Sequence, residues 1–145
     1  MNAFERLIRA RVTQTVRDTA VAPSVGELAS ELKVDEARVR EALVALAEEH
    51  LLVLRPGTEQ VWMAAPFSAI PSDFLVRIGD RRWYANCVWD GLSVLALLGD
   101  GTLETHSPET GELLTFAVRG GKVRGEGIVH FLVPARCFWD DIGFT

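Results

Sequence analysis

Apolar residues recur at spacings of three and four along the first stretch of the chain, at Phe4, Leu7, Ile8, Val12 and Val16, and predict an amphipathic helix buried along one side. Pro23 closes the connection that follows. Ser24, with Glu27 three residues on, has the form of a capping box and opens a second helix in which Val25, Leu28, Ala29 and Leu32 face inward. Asp35 stands where a third helix needs an N-cap, and Val39, Ala42, Leu43, Leu46 and Ala47 line that helix's apolar side. Beyond His50 the period changes: Leu51-Leu52-Val53-Leu54 reads as a strand, Arg55-Pro56-Gly57-Thr58 as a turn, and Val61-Trp62-Met63 as the returning strand.

Three helices followed by a hairpin is the order of a winged helix-turn-helix, and residues 1–65 are assigned to such a unit. Ala64 to Asp73, with Pro66 and Pro71, reads as a linker, and residues 66–145 form a second unit. There, Phe74–Ile78 and Arg82–Ala85 flank the turn residues Gly79-Asp80, Asp90 to Leu98 is helix-like, and Gly99 ends it. Short strands are expected at Thr102–His106, Leu113–Val118, Lys122–Val123 and Ile128–Val133. The predicted fold class is α+β, a winged-helix-like three-helix unit packed on a small mixed β-sheet domain with a central helix.

Composition narrows the function. The chain has 145 residues, 48% of them hydrophobic, and no apolar run near the roughly 18 residues that cross a bilayer, so no membrane partner is expected. Met1 to Ala10 carries Glu5, Arg6 and Arg9 and lacks the apolar stretch of a secretory signal, which points to the cytoplasm. The formal charge is -5, and residues 1–65 hold eight basic against ten acidic side chains, which argues against a nucleic-acid partner held by phosphate contacts. Helix three offers only Arg38 and Arg40 toward DNA, beside Glu36 and Glu41. The two cysteines, Cys87 and Cys137, are too few for a disulfide framework and read as reduced thiols.

The segment Arg81-Arg82-Trp83-Tyr84-Ala85-Asn86-Cys87-Val88-Trp89-Asp90-Gly91-Leu92 places a thiol where a strand runs into a helix. A cysteine there faces unpaired backbone N–H groups, which favours thiolate, and Asp90 lies on the same first turn. The thiolate can grip a soft electrophile while the carboxyl gives or takes a proton beside it. Trp83, Tyr84 and Trp89 are candidate pocket walls that keep water from such a site. His106 and His130 have no metal-ligand spacing to the cysteines, and the glycines at 120, 121, 125 and 127 lack the residues of a phosphate loop, so no cofactor is expected.

The same segment resembles the organomercurial (alkylmercury) lyases, whose tyrosine, alanine, catalytic cysteine and catalytic aspartate match Tyr84, Ala85, Cys87 and Asp90. Pro66-Phe67-Ser68, Asp80-Arg81-Arg82, His106 with Thr110-Gly111, and Val129-His130-Phe131 with Val133-Pro134 and Trp139 are similar to further family segments. The resemblance implies protonolysis of a carbon–mercury bond. Cys87 would bind the mercury of a small organometallic substrate transiently, Asp90 would carry the proton to the departing carbon, and a second cysteine would complete capture. At that second position this chain has Glu126, and its other thiol, Cys137, comes after the strand. These two are the candidate accessory residues, with a small cellular thiol as the alternative second ligand, since soft metals prefer thiolates. Two other readings stay open: a non-catalytic protein that binds thiophilic metal or a small ligand on this scaffold, and a winged-helix transcriptional regulator.

Overall fold

The structure is a computed structural model that describes residues 1–144. Helix α1 (Ala3–Thr19) starts at a capping box between Asn2 and Glu5, which satisfies the first free N–H groups. Helix α2 (Val25–Leu32) starts at the Ser24–Glu27 box read from the sequence. Helix α3 (Glu36–Glu48) has Asp35 at its N-cap with extended backbone, but the aspartate side chain makes no cap hydrogen bond. Ile8 and Val12 of α1, Leu28 of α2 and Val39, Leu43 and Leu46 of α3 meet in a first core and are all essentially fully buried. Each such side chain contributes roughly 1.5–3 kcal/mol by leaving water.

The strand expected over 51–54 shortens to β1 (Val53–Leu54). Its first half is used to end α3: His50 adopts a left-handed φ of 59° and the Leu51 N–H returns to Leu46 O at 2.9 Å. Leu52 then turns into the first core, 3% exposed. β2 (Val61–Ala64) pairs with β1, and β3 (Phe67–Ser68), inside the expected linker, pairs with β2 on one side. On its other side β3 pairs with β5 (Arg81–Ala85), which is joined by a turn to β4 (Leu75–Ile78).

Helix α4 (Val88–Leu98) follows β5, and the chain returns through β6 (Gly101–His106), β7 (Leu113–Arg119) and β8 (Lys122–Arg124). Among the described residues the eight strands form one sheet in the order β1-β2-β3-β5-β4-β6-β7-β8, and every pair is antiparallel. The fold is α+β as expected, yet the sheet is not mixed. The reason is the path of α4, which carries the chain over β4 so that β6 lands beside β4 rather than beside β5. A second core of Phe67, Val76, Trp83, Val94, Leu95 and Leu103 lies between α4 and the sheet, and Val16 of α1 reaches into it.

The closing strand expected over 128–133 does not form. Gly125 and Gly127 take φ values of 134° and 148°, a region open to glycine, and lead the chain off the sheet across Phe116. Ile128 is 94% exposed. A 3-10 helix (Ala135–Asp140) then brings Phe138 and Trp139 back toward the body of the protein.

Candidate active site

Strand β5 is fixed at its end before it reaches the site. Ala85 is fully buried, its N–H donates to Phe74 O at 2.9 Å, and its carbonyl accepts from the Ser72 hydroxyl at 2.6 Å. Two residues later the backbone is extended at Cys87 (φ -154°), which is the N-cap of α4. Its Sγ accepts the Asp90 N–H at 3.4 Å, taking the place of the serine or aspartate oxygen that usually caps a helix. The cap brings thiol and carboxyl together on one turn, as the C-x-x-D spacing predicts.

Asn86 completes the group and was not singled out from the sequence. Its Nδ2 donates to Asp90 Oδ2 at 2.8 Å and to Phe67 O at 3.4 Å. An asparagine in a strand-to-helix connection carries no spacing signal, and its second partner lies in β3, a strand hidden in the apparent linker.

Electrostatics differ from the expectation of a ready thiolate. Burial pushes the Cys87 thiol up, and the Asp90 charge adds to that; the backbone N–H groups of Asp90 and Trp89 pull it down without prevailing. Burial also pushes the Asp90 carboxyl up, and the Asn86 amide opposes it. Both groups therefore hold their protons more firmly than they would in water.

Asn86, Cys87 and Asp90 open on one cavity of about 550 Å³. Its walls are mainly apolar: Leu51, Trp62 and Met63 from the hairpin side, Ile70 and Phe74 from the approach to β4, Trp89 from α4, and Phe131, Phe138 and Trp139 from the C-terminal segment. His50 stacks on Trp139 with ring centroids 4.0 Å apart, joining the end of α3 to that segment. Of the aromatic residues expected as walls, only Trp89 lines the cavity. Trp83 is buried in the second core and donates its Nε1–H to Arg17 O at 2.8 Å, and Tyr84 is half-buried away from the cavity lining.

Neither accessory candidate lines the cavity. Glu126 is exposed on the segment leaving β8, and Cys137 is half-buried in the 3-10 helix, a free thiol like Cys87. Among the described residues no group of three or more His, Cys, Asp and Glu side chains stands together as a metal site. The two arginines considered for DNA are engaged within the protein: Arg40 pairs with Glu36 and Glu59, and the Arg38 guanidinium lies 4.3 Å over the Phe4 ring. No helix among the described residues is long and apolar enough to cross a membrane.

A thiol and a carboxyl on the first turn of a helix, opening into an apolar cavity beside an antiparallel sheet, define a protein equipped to hold a soft electrophile and move a proton at it. The alkylmercury lyase (MerB) family model matches residues 67–144, more than half of the chain, and the chain belongs to that family. Among solved structures it is similar to the mercury-bound form of MerB2, with a TM-score of 0.69 and 22% identity over 86% of this chain. That similarity is one of fold, and the chain spans 60% of the length of the structure it matches. No curated protein matches by sequence.

Proposed function

We propose that the protein cleaves the carbon–mercury bond of small organomercurials by protonolysis at Cys87 and Asp90. The observation that carries this reading is the cap itself, Cys87 Sγ against the Asp90 N–H in a cavity lined by apolar side chains. An organomercury cation takes the place of the Cys87 thiol proton, giving a sulfur–mercury bond and releasing that proton to solvent. The protonated Asp90 then delivers its proton to the carbon as the carbon–mercury bond breaks, so hydrocarbon leaves and carboxylate remains. A buried acid suits this step because burial disfavours its charged form.

Mercury left on a single sulfur needs a second soft ligand. With Glu126 and Cys137 both away from the cavity lining, a small cellular thiol is the second ligand in this reading. Its sulfur binds the mercury and its proton restores Asp90; a second small thiol then displaces Cys87 from the mercury, returning a proton to Cys87 and releasing mercury as the dithiolate. Two free cysteines suit the reducing conditions of a cytoplasm, where such thiols abound.

The test is hydrocarbon release from phenylmercury in excess small thiol. Wild type is expected to turn over, Cys87→Ser to lose activity, and Asp90→Asn to fall by roughly a hundredfold or more, the usual weight of a proton donor. Cys137→Ser and Glu126→Gln are expected to keep turnover. A folded wild type that retains phenylmercury at Cys87 and releases no benzene would instead be a binding protein on this scaffold.

A further inference from the structure

The Asn86 side chain touches the acid of the site, yet the chemistry above gives it no part. Its NH2 end faces two acceptors, Asp90 Oδ2 and Phe67 O. Turning the amide over would set its oxygen against both, so the orientation is fixed by its surroundings. The amide oxygen is buried and has no partner among the described residues. Leaving an acceptor unpaired is unfavourable, and the two hydrogen bonds of the nitrogen offset that cost.

That nitrogen occupies one oxygen of the carboxyl. Oδ2 already accepts an N–H, whereas Oδ1 accepts no hydrogen bond among the described residues. We propose that Asn86 is a positioning residue that clamps Asp90 through Oδ2 and thereby makes Oδ1 the oxygen that hands its proton to the substrate carbon. The clamp is anchored to the sheet. Phe67, whose carbonyl takes the second hydrogen bond, is 2% exposed and lies opposite Ala85, the residue just before Asn86. Amide, carboxyl and thiol are thus set by two neighbouring strands and one helix cap, the kind of support that holds a reacting group to a fraction of an ångström.

This inference rests on Asp90 being the proton donor, and the experiment separates the two ideas. Turnover of phenylmercury is measured for wild type, Asn86→Leu, Asp90→Asn and the double variant, with Asn86→Ser replacing Asn86→Leu if the latter does not fold. Loss of the clamp is expected to lower kcat roughly tenfold with little change in KM, since capture by Cys87 does not use the amide. On the Asp90→Asn background the Asn86 change is expected to cost nothing further, because a residue acting through Asp90 has nothing left to act on. Unchanged kcat in a folded Asn86 variant, or an additional loss on that background, overturns the proposal. Crystal structures of wild type and the Asn86 variant give a readout without turnover. The carboxyl is expected to leave its place when the amide is removed, and one that stays put overturns the clamp even if wild type proves inactive toward organomercurials. Inactivity of wild type alone would remove the lyase reading and with it the proton-donor role of Oδ1, and the paired crystal structures would then decide the clamp itself.

Discussion

A half-buried carboxyl and a half-buried thiol share one helical turn, and the energetic trace of that arrangement lies in Asp90. Its folded-state pKa is raised by burial, so the folded protein binds the proton more tightly than the unfolded chain does. The favourable contribution is fully present below the unfolded carboxyl pKa and is lost as pH rises through the raised folded value, where charge becomes buried. Asparagine mimics the protonated form at every pH. Thermal melts should therefore find Asp90→Asn more stable than wild type at pH 7, with the difference shrinking as pH falls toward the carboxyl range. A difference that grew on acidification would contradict a raised Asp90 pKa. The pairing of Cys87 with Asp90 was legible in the sequence through the resemblance of the segment around it to the lyases, and a cap followed by a first helical turn accounts for the spacing of three. Asn86 was not, since its role depends on Phe67, nineteen positions away and in a strand too short to announce itself.

Among the elements, α4 does most to place the site, and Gly91 governs how closely it sits on the sheet. A Cβ there would meet Leu103 Cδ1 at 2.6 Å and Cδ2 at 2.8 Å, with Leu103 fully buried behind them. Gly91→Ala is expected to destabilise the fold by about 1–3 kcal/mol through overpacking. Because Gly91 follows Asp90 directly, the same change should also reduce turnover. Urea unfolding measures the first effect and the phenylmercury assay the second; a variant as stable as wild type would mean that α4 packs more loosely than its contact with Leu103 indicates. The helices were readable from the spacing of apolar residues, and the Ser24–Glu27 cap from its two residues. The short strands were harder. Half of the apolar run at 51–54 serves the end of α3, β3 lies between two prolines, and the run at 128–133 leaves the sheet because the glycines before it turn the backbone away.

At the scale of the whole molecule, the boundary expected near residue 65 falls inside a hydrogen-bonded ladder. β2 belongs to the hairpin that follows the three helices, β5 leads into the site, and the two residues of β3 join them. The cavity draws its walls from both sides of that boundary and from the C-terminal segment, with the His50–Trp139 stack between them. Sequence periodicity sees elements one at a time and marked two units; the continuity of the sheet depends on pairings between distant residues that periodicity does not encode. The consequence concerns how the molecule comes apart. Unfolding the three-helix end strips β2 from β3 and bares the edge next to β5, the strand that leads to Cys87, so melting followed at Trp62 and at Trp89 should report one shared transition. Amide hydrogens of β2, β3 and β5 should likewise exchange together, at the slow rate set by global opening. Two separated transitions would mean that the ladder gives way at its two-residue link, and that the thiol can outlast the helices it was folded beside.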